Sequence, residues 1–112
     1  MKLIHTDKNG LTVHTDEVNP GHQYQVSKDE TVFADLRFQK GPINQAGVNG
    51  LTNEALIEIL LDRIEQLDKV VPCVENCVAR IHLSAALNSF ELRQRRRDEE
   101  IKAANTAAAQ NG

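Results

Sequence analysis

The residues of this chain with most chemical potential are arginines near its C-terminal end. Arg93, Arg95, Arg96 and Arg97 precede Asp98, Glu99 and Glu100. On a helix, Arg95 can pair with Glu99 and Arg96 with Glu100 at i,i+4 spacing, which makes those two ordinary solvated charges. Arg93 and Arg97 are four apart and share one helical side, so they repel unless an anion or an acidic partner lies between them. Two occupants satisfy that condition: a phosphate-bearing ligand, or an acidic first helix of another subunit.

A second candidate is the connection KGPINQAGVNGL at 40 to 51, with Gly41, Pro42, Gly47, Asn49 and Gly50 just ahead of Thr52. Glycines there allow backbone N–H groups to point at an anion near a helix N-terminus. The same residues also suit a plain turn admitting the chain to the helix. Cys73 and Cys77 share a helical side, but no histidine or second cysteine pair completes a tetrahedral set, since His5, His14, His22 and His82 are scattered. They are expected to be buried, inert free thiols rather than metal ligands or a disulfide. No nucleophile elbow, Walker loop or zinc-helix motif occurs, so no catalytic residue and no cofactor are assigned.

The elements that must position these residues follow from patterning. Residues 1 to 40 suit an antiparallel β segment: Leu11 to His14 is extended, and Asn19-Pro20-Gly21 marks a turn flanked by a strand pair. Thr31 to Gln39 alternates, with Val32, Ala34, Leu36 and Phe38 on an apolar face. The connection after Lys40 is too rich in glycine for a regular helix. Thr52 is a suitable N-cap, and a helix is predicted from about Asn53 to Leu67. Leu56, Ile57, Ile59, Leu60, Leu61, Ile64 and Leu67 cover a broad apolar sector that includes Arg63. A break at Lys69 to Pro72 introduces a second helix, predicted from Cys73 to about Ile101, with Pro72 suited to its first turn.

That second helix has two apolar stripes. Ala79, Leu83, Ala86, Leu87 and Phe90 form one seam; Val74, Cys77, Val78, Ile81 and Ala85 form another. A hairpin partner covers only one, so other subunits are expected on the second. The fold class is therefore α+β, a short N-terminal antiparallel β segment followed by a long antiparallel αα-hairpin. It is divided as a β segment at 1 to 40, a loop and hairpin at 41 to 102 in the same domain, and a flexible tail at 103 to 112. The chain has 112 residues, a net charge of -3 and 40% hydrophobic residues, which fits one ordinary soluble domain and gives no bulk sign of DNA affinity. No apolar run approaches a membrane span, and a cytoplasmic location is expected.

The string FQKGPINQAGVNGLTNEAL at 38 to 56, followed by a helix and CVENCVA at 73 to 79, resembles the phage Thoeris anti-defence sponges. These share a helical hairpin with the anti-CBASS cyclic-oligonucleotide sponges. The resemblance implies a β-fronted hairpin assembled into a hexamer built from dimers. It also implies capture, without cleavage, of a cyclic ADP-ribose isomer made by TIR-domain immune proteins in the host bacterial cytoplasm, in a pocket between two protomers. Asn76, Arg93 and Arg97 match the family's polar ligand contacts. With them, Leu67, Arg37, Phe38, Gly41, Pro42, Asn49, Gly50, Asn53 and Arg63 form the candidate ligand-binding set. Relatives commonly have arginine at the position of Val74, an aromatic near that of Leu67, and Gly-Val-Glu-Gly where this chain turns acidic. Such departures imply a shifted ligand preference. The alternatives kept open are a sponge for cyclic di- or trinucleotides, a nucleotide-cleaving enzyme, and a structural interaction protein.

Overall fold

The computed structural model describes residues 1 to 111. It contains two compact units, Met1–Thr52 and the segment from Asn53 onward. The 41 to 51 loop lies in the first of these units.

The first unit is a four-stranded meander, β1 (Lys2–Thr6), β2 (Thr12–Thr15), β3 (Gln23–Lys28) and β4 (Thr31–Arg37), in the order β1-β2-β3-β4 with every pair antiparallel. Local polar chemistry makes its turns. The Asp7 carboxylate accepts hydrogen bonds from Asn9 N (2.8 Å) and Leu11 N (3.0 Å), closing the β1–β2 turn over Gly10 at φ 83°. Asp29, at φ 54°, takes the left-handed position of the tight β3–β4 turn, a conformation that Asp tolerates better than most residues. The expected strand pair around Asn19-Pro20-Gly21 is β2 and β3.

Strand β4 corrects the sequence reading in two ways. It ends at Arg37 rather than Gln39, and its alternation is broken by a bulge: Val32 lies opposite Ser27, and Ala34 opposite Val26, leaving Phe33 as the extra residue. A one-residue insertion flips side-chain parity. Ala34, Leu36 and Phe38 thus share the half-buried face with Val26 and Tyr24, while Val32 points to the polar side with Ser27 and is exposed. A similar irregularity at Ile4 obscures the alternation of β1, which patterning did not single out.

After β4 comes a single helical turn, α1 (Ile43–Ala46), closed by Gly47 N donating to Ile43 O. Helical backbone was not expected there; Pro42 opens this turn and Gly47, at φ 73°, stops it after four residues.

In the second unit, α2 (Asn53–Val70) begins right after Thr52, as expected, and runs one turn past Leu67, with Lys69 in its last turn. Helix α3 (Val74–Asn111) starts two residues after Pro72, so the proline precedes the first turn instead of lying in it. The tail from Ala103, expected to be frayed, continues as helix to Asn111. Alanine has the highest intrinsic helix propensity, and AANTAAAQ contains no residue that stops a helix already propagating. Gly112, the last residue of the expected tail, lies outside the described residues.

Burial follows the two-stripe pattern. Ala79, Leu83, Ala86, Leu87 and Phe90 of α3 are all half-buried, as are Ile57, Leu61 and Ile64 of α2, whereas Val74, Cys77, Val78, Ile81 and Ala85 are all exposed. Among the described residues none is fully buried. Apolar side chains that are at most half-buried contribute less to folding than a closed core would.

Candidate ligand site

Most of the candidate residues fall into three clusters, one in the β unit and two in the helical unit. In the β unit, the 39 to 51 segment closes on itself as a strap. Leu51 N donates to Arg37 O (2.7 Å) and Gln39 N donates to Leu51 O (2.8 Å), making a parallel bridge along β4. The Asn49 carboxamide clamps Lys40, accepting from its N–H and donating to its carbonyl, both at 2.8 Å. Gln39 reciprocates: its Oε1 accepts from Asn49 N (3.0 Å), and its Nε2 donates to Gly47 O (2.7 Å) and Gly41 O (3.2 Å). Gly50 is required by contact, since a Cβ there would lie 2.5 Å from the Phe38 carbonyl carbon.

These bonds give the Gly-Pro to Asn-Gly motif a structural occupation. Both polar groups of Asn49 are engaged, and Gly50 faces the Phe38 and Gln39 backbone just after β4. The turn interpretation therefore accounts for Gly41, Asn49 and Gly50. Phe38 packs edge-to-face on Tyr24 at 5.6 Å, and its N–H donates to His22 O (2.7 Å). Arg37 is mostly exposed, 3.9 Å from the Asp35 carboxylate.

The second cluster lies at the hairpin turn. Asn76 Nδ2 donates to Asp68 Oδ1 (3.2 Å) and to Val71 O (3.3 Å), while Cys73 N donates to the same Asp68 oxygen (3.4 Å). Asp68 thus caps the start of α3 from across the turn. Asn76 also lines a groove of about 420 Å³ with Glu65, Asp68, Cys73, Cys77 and Arg80. Its two carboxylates outnumber its one arginine, so the groove as a single chain forms it does not favour an anion. Both thiols are exposed, which corrects the expectation of buried cysteines: Cys73 precedes the helix, and Cys77 belongs to the stripe left uncovered. No cluster of three or more histidine, cysteine or acidic residues suited to a metal occurs among the described residues.

The third cluster is the arginine run. With 18 residues in α2 and 38 in α3, α3 extends about 30 Å past its partner, at 1.5 Å per residue. Arg93 lies 17 residues beyond Asn76, about 25 Å along the helix. One chain therefore cannot bring Asn76 and Arg93 to the same small molecule. Arg96 pairs with Glu100 at 3.7 Å, and Gln94 donates to Asp98 at 3.0 Å. Arg95 and Glu99, expected to pair, form no ion pair among the described residues; Glu99 instead lines a shallow groove with Lys102 and Thr106.

Arg97 differs from its neighbours. It is half-buried while Arg93, Arg95 and Arg96 are exposed, and it has no carboxylate partner among the described residues.

No protein-family model and no curated protein matches this chain.

Of the remaining candidates, Arg63 and Leu67 lie one turn apart on the exposed side of α2 with Ile59 and Leu60, and Asn53 is exposed at the start of that helix. The apolar sector assigned to α2 from sequence is thus split, with Ile57, Leu61 and Ile64 toward α3 and the Arg63 side open. Pro42 is exposed in the strap. Sequence reasoning missed Gln39 and Asp68, whose roles depend on a backbone ten residues away and on a helix turn; neither leaves a periodic signal. No helix among the described residues is long and apolar enough to cross a membrane.

Proposed function

We propose that this protein is a phage anti-defence sponge: a homo-oligomer, a hexamer built from dimers, that binds a cyclic ADP-ribose-type signalling nucleotide in the host bacterial cytoplasm. It holds the ligand without cleaving it, so the downstream Thoeris effector is not activated. The observation that carries the proposal is Arg97, a half-buried guanidinium with no acidic partner among the described residues, one turn from the like-charged Arg93. A partly desolvated, unpaired cation is unfavourable unless an anion completes it. A diphosphate offers that anion and matches the planar fork of arginine. The exposed apolar sides of α2 and α3 support assembly, and the separation of about 25 Å between Asn76 and Arg93 along one helix means that a pocket using both draws them from different subunits. Arg63 and Leu67, on the open side of α2, are available to such a pocket. The strap residues act by holding backbone rather than by touching ligand.

The sponge and the enzyme differ in what they return. Incubation with a panel of cyclic ADP-ribose isomers and cyclic di- and trinucleotides, followed by heat denaturation and chromatography of the supernatant, is expected to recover the bound member intact and in stoichiometric amount. A cleaved product would support a nucleotide hydrolase instead.

A further inference from the structure

Two dipeptides of the β unit, Asn9-Gly10 and Asn49-Gly50, share one covalent reactivity but differ in surroundings. In an Asn-Gly pair the glycine nitrogen can attack the asparagine carboxamide, because glycine places no Cβ beside the nucleophile and turns its backbone freely. The other asparagines precede proline, which has no N–H, or a residue with a side chain, except Asn111, whose Gly112 lies outside the described residues.

Exposure does not separate the two pairs, since Asn9 and Asn49 are both exposed. Hydrogen bonding does. The Asn49 carboxamide is held at both ends on Lys40, at 2.8 Å each, and Asn49 N donates to Gln39 Oε1 at 3.0 Å. Gly50 is pressed against the Phe38 and Gln39 backbone. Ring closure there requires the carboxamide to leave Lys40 and the backbone to turn where it has no room. Asn9 has only its backbone engaged: its N–H donates to the Asp7 carboxylate at 2.8 Å, and its carboxamide makes no hydrogen bond among the described residues. The attacking Gly10 N–H must give up one bond, to Asp7 O at 3.1 Å. The nearest atom to where a Gly10 Cβ would lie is Lys28 Cε, the mobile end of a side chain, at 3.7 Å. This stretch has room to turn.

We propose that Asn9 is a site of spontaneous deamidation and that the strap protects Asn49 from the same reaction. The Gly10 nitrogen gives its proton to solvent base and bonds to Asn9 Cγ. The Cγ–Nδ2 bond breaks, and Nδ2 leaves with a proton as ammonia. The resulting cyclic imide takes up one water, which opens either of its ring C–N bonds to leave aspartate or isoaspartate at position 9. No oxidant or cofactor enters the balance. One carboxylate is gained, so each event takes the net charge from -3 to -4. The two hairpin and strap geometries carry this inference, and it is independent of any nucleotide.

The test uses the full chain, incubated in mildly alkaline buffer made with heavy-oxygen water, folded and in parallel in urea. It is then digested in ordinary water and mapped by mass spectrometry, so that label taken up during incubation separates these events from those of digestion. Ion exchange follows the added charge. In the folded chain, position 9 is expected to react roughly tenfold or more faster than position 49, the cost of the extra hydrogen bonds that Asn49 must lose. In urea the two rates are expected to converge. Gln39→Ala removes three bonds of the strap and is expected to speed position 49 while leaving position 9 unchanged. Equal rates at the two positions in the folded chain would overturn the proposal, as would a position 9 that reacts in urea but not when folded. The wild-type comparison decides the matter even if Gln39→Ala unfolds.

Discussion

Replacing Gly50 with alanine should destabilise the β unit through one identifiable contact. The added Cβ would lie 2.5 Å from Phe38 C, 2.6 Å from Phe38 O and 2.7 Å from Gln39 N. All three are backbone atoms, so no side chain can rotate away. Ordinary contact needs about 3.5–4.0 Å, so the 49 to 51 segment must retreat by about 1 Å from the Phe38 and Gln39 backbone. That retreat breaks or stretches the two bridge bonds, Leu51 N to Arg37 O at 2.7 Å and Gln39 N to Leu51 O at 2.8 Å. At about 0.5–1.5 kcal/mol each, their loss costs about 1–3 kcal/mol. For a small domain this lowers Tm by roughly 4–8 °C per kcal/mol. Thermal unfolding followed by circular dichroism measures it, with Gly21→Ala as comparison, since a Cβ there meets nothing within 4 Å and only the φ of 87° opposes it. A Gly50→Ala protein melting with the wild type would refute the close approach and the strap built on it.

Removing the Asn49 carboxamide by Asn49→Ala deletes both bonds to Lys40 and should cost about 1–2 kcal/mol in denaturant unfolding; an unchanged midpoint would return Asn49 to the list of free ligand contacts. Serine at both Cys73 and Cys77 should change stability by less than about 0.5 kcal/mol, as for surface positions, because both are exposed; a large loss in the same unfolding assay would mean that they are covered in the assembly. Breaking the exposed Arg96–Glu100 pair with Arg96→Ala should leave both melting temperature and oligomer mass nearly unchanged, and a clear shift in either would give Arg96 an interfacial role.

The helical hairpin was the most legible part of the sequence, because a covered seam and an open seam on α3 are both written as periodic apolar residues, and the half-buried and exposed sets follow them position by position. Low complexity in the α3 tail suggests fraying, but alanine favours helix and nothing in 103 to 110 stops it. Register in β4 was not legible: the bulge at Phe33 is set by its partner β3, and a single strand's alternation cannot show an insertion relative to a neighbour. The glycines of the strap suit both an anion site and a plain turn, and what decides between them is Gln39, whose bonds span up to ten positions and follow no local pattern. The arginine cluster was half legible. Arg96 found its acid at i+4, yet the partial burial of Arg97 does not follow from its spacing.

The central claim is that Arg97 and Arg93 receive the phosphates of a cyclic nucleotide at a subunit interface. Calorimetric titration of the wild type, Arg93→Ala, Arg97→Ala, Arg97→Lys, Arg95→Ala and Arg96→Ala with cyclic ADP-ribose isomers, each beside a mass determination, tests it most directly. Saturable binding of one isomer is expected, weakened in Arg97→Ala by about 2–4 kcal/mol, as for a truncated buried charge contact. Arg93→Ala should lose comparable affinity, and Arg97→Lys should lose part of it, because an ammonium cannot reproduce bidentate geometry. Arg95→Ala and Arg96→Ala should bind as the wild type does. Equal losses in all four alanine variants would reduce the cluster to a diffuse basic patch, and no binding by any isomer would contradict the account outright.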